Sequence, residues 1–200
     1  MRKAILTLTI GALLLMAPVV QALPKITGGG MTVNNNTQGV CLPELLNNVG
    51  FVARATGAGV LEDFAPFGTD NATVYPAIGK VKFRTTLPNP RGNLPPPANL
   101  RGKVVCIANL GPADTVDGVG NCDAGADPDT DVWEIRFQIT RIQGIPLPDG
   151  GPFYGSLFVQ DGGQDDWADE AFGDPTNADC LQNPFFGLER HIEGNIVVRE

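Results

Sequence analysis

The stretch "VWEIRFQITR", residues 132–141, decides the fold. Trp133, Ile135, Phe137 and Ile139 fall at every second position, and Glu134, Arg136, Gln138 and Thr140 fill the positions between them. A period of two belongs to a pleated strand, whose successive side chains point to opposite faces, whereas a helix repeats every 3.6 residues. The stretch therefore reads as a half-buried strand with its odd-numbered face on a core. "KVKFRTT", residues 80–86, repeats the pattern, with Val81, Phe83 and Thr85 on one face and Lys80, Lys82 and Arg84 on the other.

Working outward, residues 49–55, 59–64, 103–108, 153–159 and 195–199 are shorter runs rich in β-branched and aromatic side chains, which fit a pleated surface. Clusters of Gly and Pro separate them; the chain holds 25 Gly and 17 Pro, enough to interrupt most windows long enough for a helix. "LPELLNN", residues 42–48, is the one place where a helical turn is expected. "LPNPRGNLPPPANLRG", residues 87–102, reads as a rigid surface loop between two strands. The expected fold is all-β, an antiparallel β-sandwich or partly open barrel of about 7 to 10 strands with few or no helices.

The N-terminus reads as an export signal over residues 1–22. Arg2 and Lys3 precede an apolar run over residues 4–20, and Val20-Gln21-Ala22 places small residues at the cleavage positions. The run contains Pro18 and falls short of the ~20 apolar residues of a comfortable bilayer span. Residues 23–200 are then expected as a single secreted domain, extracellular or periplasmic, with no membrane insertion after the signal is removed. The chain carries 14 Lys and Arg against 22 Asp and Glu, a net charge of −8, which becomes −10 once Arg2 and Lys3 are lost. Nucleic acid and anionic membrane repel such a chain, so an extracellular protein or a glycan is the expected partner.

In an oxidising compartment four cysteines imply two disulfides with three possible connectivities. Cys106 with Cys122 is the expected short loop, which leaves Cys41 with Cys180 by elimination. A zinc site is not expected, because no CxxC pair exists and the single His191 lies far from the cysteines.

No catalytic residue is assigned. Acyl transfer by a Ser nucleophile needs a base to take its proton, most often His. Downstream of the signal the chain has one Ser, Ser156, and one His, His191, and "YGSLF" is not the G-x-S-x-G elbow. Glycoside hydrolysis needs only two carboxyls ~5 to 9.5 Å apart, so a glycoside hydrolase working through paired carboxylates is the alternative enzyme class. The acids, however, are clustered. Fourteen of the 22 lie in residues 114–134 and 161–179, and of the few aromatics that could form a sugar platform Trp133 is claimed by the core face and the Phe residues sit mostly on strands.

Both acidic stretches read first as solvated turns, and no metal ligand or cofactor is assigned. Calcium is the cofactor either would take, since its ligands are six to eight carboxylate and carbonyl oxygens. Asp127, Asp129 and Asp131 match positions 1, 3 and 5 of an EF-hand loop, but Val132 stands where the turn Gly belongs and Gln138 where the bidentate Glu belongs. In "DGGQDDWADE", Asp161, Asp165, Asp166 and Asp169 again lack the full template. Gly162 and Gly163 are expected to form the turn, with Trp167 or Phe172 folding back over the core.

"KITGGG" at residues 25–30, "VGFVAR" at 49–54, "VQDGG" with "DDWADEAF" at 159–172, and "IEGNIVVR" at 192–199 resemble the post-COAP domains, a family of small secreted bacterial β-domains. The resemblance covers both ends of the chain and little of its middle; the Pro-rich insertion, the Cys106 to Cys122 segment and the long acidic stretch depart from it. It implies a secreted β-sandwich found alone or appended to surface proteins, and no activity. Together these readings lead to an exported, non-catalytic binding or surface-structural module of unknown ligand, carbohydrate- or adhesion-related in its sharper form. A calcium-stabilised surface domain is a further alternative.

Overall fold

The structure is a computed structural model, and it describes residues 22–34, 45–64, 69–85, 99–112, 129–143, 151–162, 167–171, 177–181 and 192–200. Nine strands run through them: β1 (Lys25–Asn34), β2 (Leu45–Ala55), β3 (Val60–Phe64), β4 (Thr69–Thr85), β5 (Asn99–Pro112), β6 (Asp131–Ile142), β7 (Phe153–Gln160), β8 (Trp167–Ala171) and β9 (Ile192–Arg199). No helix occurs among the described residues. The stretch expected as an export signal, residues 1–22, lies outside them apart from Ala22.

All pairings are antiparallel, and the order across the sheet is β8-β7-β6-β5-β4-β2-β1-β9, with β3 beside the first half of β4. The sheet is not closed into a barrel. It is nevertheless curled enough that strands far apart in its order share one core: Ile26 of β1 and Ile196 of β9 belong to the same buried cluster as Trp133, Phe137 and Leu157. One side-chain contact bridges the gap, as the Val198 N–H of β9 donates to Asp161 Oδ2, just past β7, at 3.0 Å.

The alternation expected of residues 132–141 holds on the inner face. Trp133, Ile135 and Phe137 are fully buried, Phe137 packs on Phe83 with ring centroids 5.9 Å apart, and Tyr75 stacks on Trp133 at 6.1 Å. The other face departs from expectation. Val132, Glu134 and Arg136 are buried as well, because the segment 177–181 lies over them and adds a smaller cluster built from Ala72, Ala108, Leu110, Val132, Phe158 and Leu181. Solvent returns only at Thr140 and Arg141.

The disulfide explains how that cover is held, and it corrects the expected pairing. Cys106 is joined to Cys180, with Cα atoms 6.1 Å apart, so neither Cys106–Cys122 nor Cys41–Cys180 forms. Cys41 and Cys122 lie outside the described residues. The cause is a register shift in β5 between Val104 and Cys106. The extra residue lets Val104 and Ile107 both face the core and turns Cys106 to the outer face, toward the cover. A bulge of this kind leaves no mark in the spacing of cysteines.

Other boundaries also moved. Leu45–Asn48, expected as a helical turn, is strand, because β2 pairs over these residues with β1 on one side and, from Asn47, with β4 on the other. Asn99–Gly102, assigned to the Pro-rich loop, opens β5 against Phe83 and Arg84 of β4. Within the acidic stretch, Trp167–Ala171 is strand β8 rather than turn, paired to β7 from Gln160 to Ser156. Phe172 lies outside the described residues.

Candidate functional site

Glu134 and Arg136 of β6 were expected on the face away from the core, and the structure instead gathers them with Ser156 of β7 under the 177–181 cover. Ser156 Oγ donates to Glu134 Oε1 at 2.5 Å, and the Leu181 N–H donates to Glu134 Oε2 at 2.8 Å. Arg136 Nη1 donates to Ser156 Oγ at 3.0 Å, Nη2 donates to the Asn177 carbonyl at 2.6 Å, and the guanidinium lies over the Tyr154 ring, 5.8 Å from its centroid. Burial pushes the Glu134 carboxyl above its ordinary value, against the Ser156 hydroxyl, the Leu181 N–H and Arg136, each of which favours the carboxylate. Glu134, Arg136 and Ser156 are all sealed from solvent, so this cluster ties the cover to the sheet and offers no substrate a way in. The Ser156 hydroxyl is thus engaged within its own sheet, donating to Glu134 and accepting from Arg136; His191 lies outside the described residues.

Of the candidate calcium ligands, Asp129, Asp131 and Asp161 are described with their side chains. Asp131 Oδ2 accepts from Asn109 Nδ2 at 2.7 Å across β5 and β6, and Asp161 is used in the bridge to β9. Asp129 is exposed, and Asp127, Asp165 and Asp166 lie outside the described residues. Asp169 lies on β8. Among the described residues no three His, Cys, Asp or Glu side chains converge as a metal site.

What the sheet does assemble is a field of cations. β4 ends, β5 begins and β6 ends at the same end of the sheet, so the register sets Lys82 opposite Arg101 and Arg101 opposite Arg141. One row away, Lys80 stands opposite Lys103, and on the other side Arg84 stands opposite Asn99. Alternation puts these side chains on the outer face, because Val81 and Phe83 between them are buried. All six cations are exposed, and no described carboxylate is ion-paired to any of them. Like charges directly opposite each other destabilise an antiparallel pair, so three such pairs in one patch carry an unfavourable self-energy that an anion would relieve.

The patch borders a concavity of about 390 Å³, formed where β2, β4 and β5 run side by side. Lys82, Arg84 and Arg101 stand around it with the amides of Asn48, Asn99 and Gln143. Asn99 Nδ2 donates to Gln143 Oε1 at 2.7 Å, and the Gln143 N–H donates to the Asn99 carbonyl at 2.9 Å, which fixes both amides. None of the aromatic rings that the structure describes is exposed, as a sugar platform would require: Phe51, Phe83, Trp133, Phe137 and Phe158 are buried, and Tyr75, Phe153 and Tyr154 are half-buried. The cations were legible one at a time in "KVKFR", but their convergence depends on which strand lies beside β4.

At the opposite end β5 and β7 end and β6 begins beside Asp129, Asp131 and Asp161, while Arg54, Lys25 and Arg199 are successive cross-strand partners on β2, β1 and β9. The fold and this face define a class, that of an open antiparallel β-sheet protein with a cationic patch across three strands. No family model matches the chain, and neither a curated protein nor a solved structure matches it.

Proposed function

We propose that the protein is an exported, non-catalytic binding module that takes an anionic ligand on the outer face of β4, β5 and β6. The observation that carries this reading is the cross-strand register of Lys80, Lys82, Arg84, Arg101, Lys103 and Arg141 in a chain whose net charge is −8. A face held at the cost of like-charge contacts, in a chain that carries 22 acids against 14 Lys and Arg, is an electrostatic receptor for negative charge. The N-terminal leader and the likeness of the chain's ends to secreted post-COAP domains support export. A glycan remains the natural partner class, with charge rather than ring stacking as its means of recognition.

The test is a charge reversal with a matched control. Lys82→Glu with Arg101→Glu should abolish binding of a carboxylated polysaccharide, polygalacturonate, measured by calorimetry at low ionic strength. Lys25→Glu with Arg54→Glu, an exposed cross-strand pair of the same charge on β1 and β2, should leave it intact. Equal loss in both variants would reduce the effect to net charge and refute the assignment of the face.

A further inference from the structure

Gly50 lies in the middle of β2, opposite Lys82 on one side and Gly29 on the other. Glycine weakens a strand interior and is kept there for a left-handed backbone, a bulge, or the close approach of another group. The first two reasons fail here. Gly50 is not among the residues of positive φ, and the registers of β1 with β2 and of β2 with β4 run through it without a shift. The third fails within the protein: a Cβ built on Gly50 meets nothing within 4 Å, unlike Gly29, whose Cβ would press on the Val49 carbonyl oxygen at 2.9 Å and on Gly50 Cα at 3.3 Å. Val49 and Phe51 on either side are buried, so the missing side chain leaves open space on the outer face, inside the concavity bordered by Lys82, Arg84 and Arg101.

Register extends that space into a path. Arg141, Arg101, Lys82, Gly50, Gly29 and Asn195 are successive cross-strand partners on β6, β5, β4, β2, β1 and β9. Five inter-strand steps of ~4.8 Å make the row about 24 Å long. One end presents three cations. The middle presents bare backbone, with Asn48 two residues along β2 on the same face, and the far end presents the exposed amide of Asn195. Amides donate and accept and so suit hydroxyls, whereas guanidinium and ammonium groups suit carboxylates. No aromatic ring stands on the row, which removes the stacking platform that single-stranded nucleic acid requires.

From these observations we infer that the ligand is an acidic polysaccharide whose chain crosses the strands along this row, its carboxylates on Lys82, Arg101 and Arg141 and its sugar ring against the backbone at Gly50. The inference rests on the reading of the cationic face as the binding surface, and it adds the class of ligand and its direction.

Gly50→Thr tests it, because a β-branched residue favours an exposed strand position while its side chain fills the path. In the full-length protein, polygalacturonate affinity should fall at least tenfold while the thermal midpoint holds or rises. For the unmodified protein, oligogalacturonates of increasing length should gain affinity until they span about 24 Å. Undiminished binding by Gly50→Thr, together with loss in the Lys82→Glu and Arg101→Glu variant, would overturn the path and leave the charged face standing. The monomer binding as tightly as the polymer, or double-stranded DNA binding equally well, would overturn the ligand class. Failure of the unmodified protein to bind any of these polyanions would overturn both readings.

Discussion

Replacing Arg136 by Met removes a cation beside a buried carboxylate without changing the volume greatly. Arg136 loses its hydrogen bonds to Ser156 Oγ and to the Asn177 carbonyl, and Glu134 keeps only Ser156 and the Leu181 N–H. Removing one partner of a buried pair costs about 3–5 kcal/mol, because the remaining charge stays desolvated. The cost depends on pH, and its sign follows from Glu134. Burial already raises that carboxyl above its ordinary value of 4.5, and loss of Arg136 removes one of the influences that lower it, so the variant's carboxyl titrates higher still. Between the unfolded value and the raised folded value the native state binds the extra proton, so stability falls as pH rises through that window. Each unit by which the window widens removes about 1.4 kcal/mol at the alkaline end. The deficit of Arg136→Met should therefore grow with pH above the ordinary carboxyl value and be larger at pH 8 than at pH 5, because protonation of Glu134 lessens its need for a cation. Urea titrations of both proteins at the two pH values measure it. A deficit of the same size at both would refute the claim that Glu134 is the group left exposed to the loss.

Three further outcomes are expected. Phe137→Ala should cost about 3–5 kcal/mol in a denaturant titration, since the ring is wholly buried against Phe83, whereas Gln138→Ala on the outer face should stay within about 0.5 kcal/mol; equal effects would mean that the faces of β6 are misassigned. Peptide mapping without reduction should recover Cys106 linked to Cys180, and removing that bond should cost about 4 kcal/mol for a separation of 74 residues; a Cys106–Cys122 fragment would contradict it. Asp161→Ala should speed hydrogen exchange at the Val198 amide, and Asp161→Asn, which keeps an acceptor, should do so less; unchanged exchange would show that the bridge to β9 does not hold in solution.

The sequence alone determined the class of the fold, because period-two alternation in "VWEIRFQITR" and "KVKFRTT" is a local property that no tertiary contact is needed to read. The burial of Trp133, Ile135 and Phe137 followed from it. What alternation could not show is what lies on the second face. Glu134 and Arg136 look like solvent positions in any window of the chain, and they become buried only because residues 177–181, some forty positions away, return over them. The disulfide partner of Cys106 was hidden for a related reason, since a one-residue bulge at Val104 to Cys106 reverses which face the thiol takes. β1 and β8 escaped the strand reading because "KITGGG" and "WADEA" offer too few branched or aromatic residues; each is held by the neighbours it pairs with. The cationic face belongs wholly to the tertiary structure. Lys82, Arg101 and Arg141 are spread over sixty residues of sequence, and only the adjacency of β4, β5 and β6, fixed by backbone pairing and the shared core beneath, sets their charges side by side.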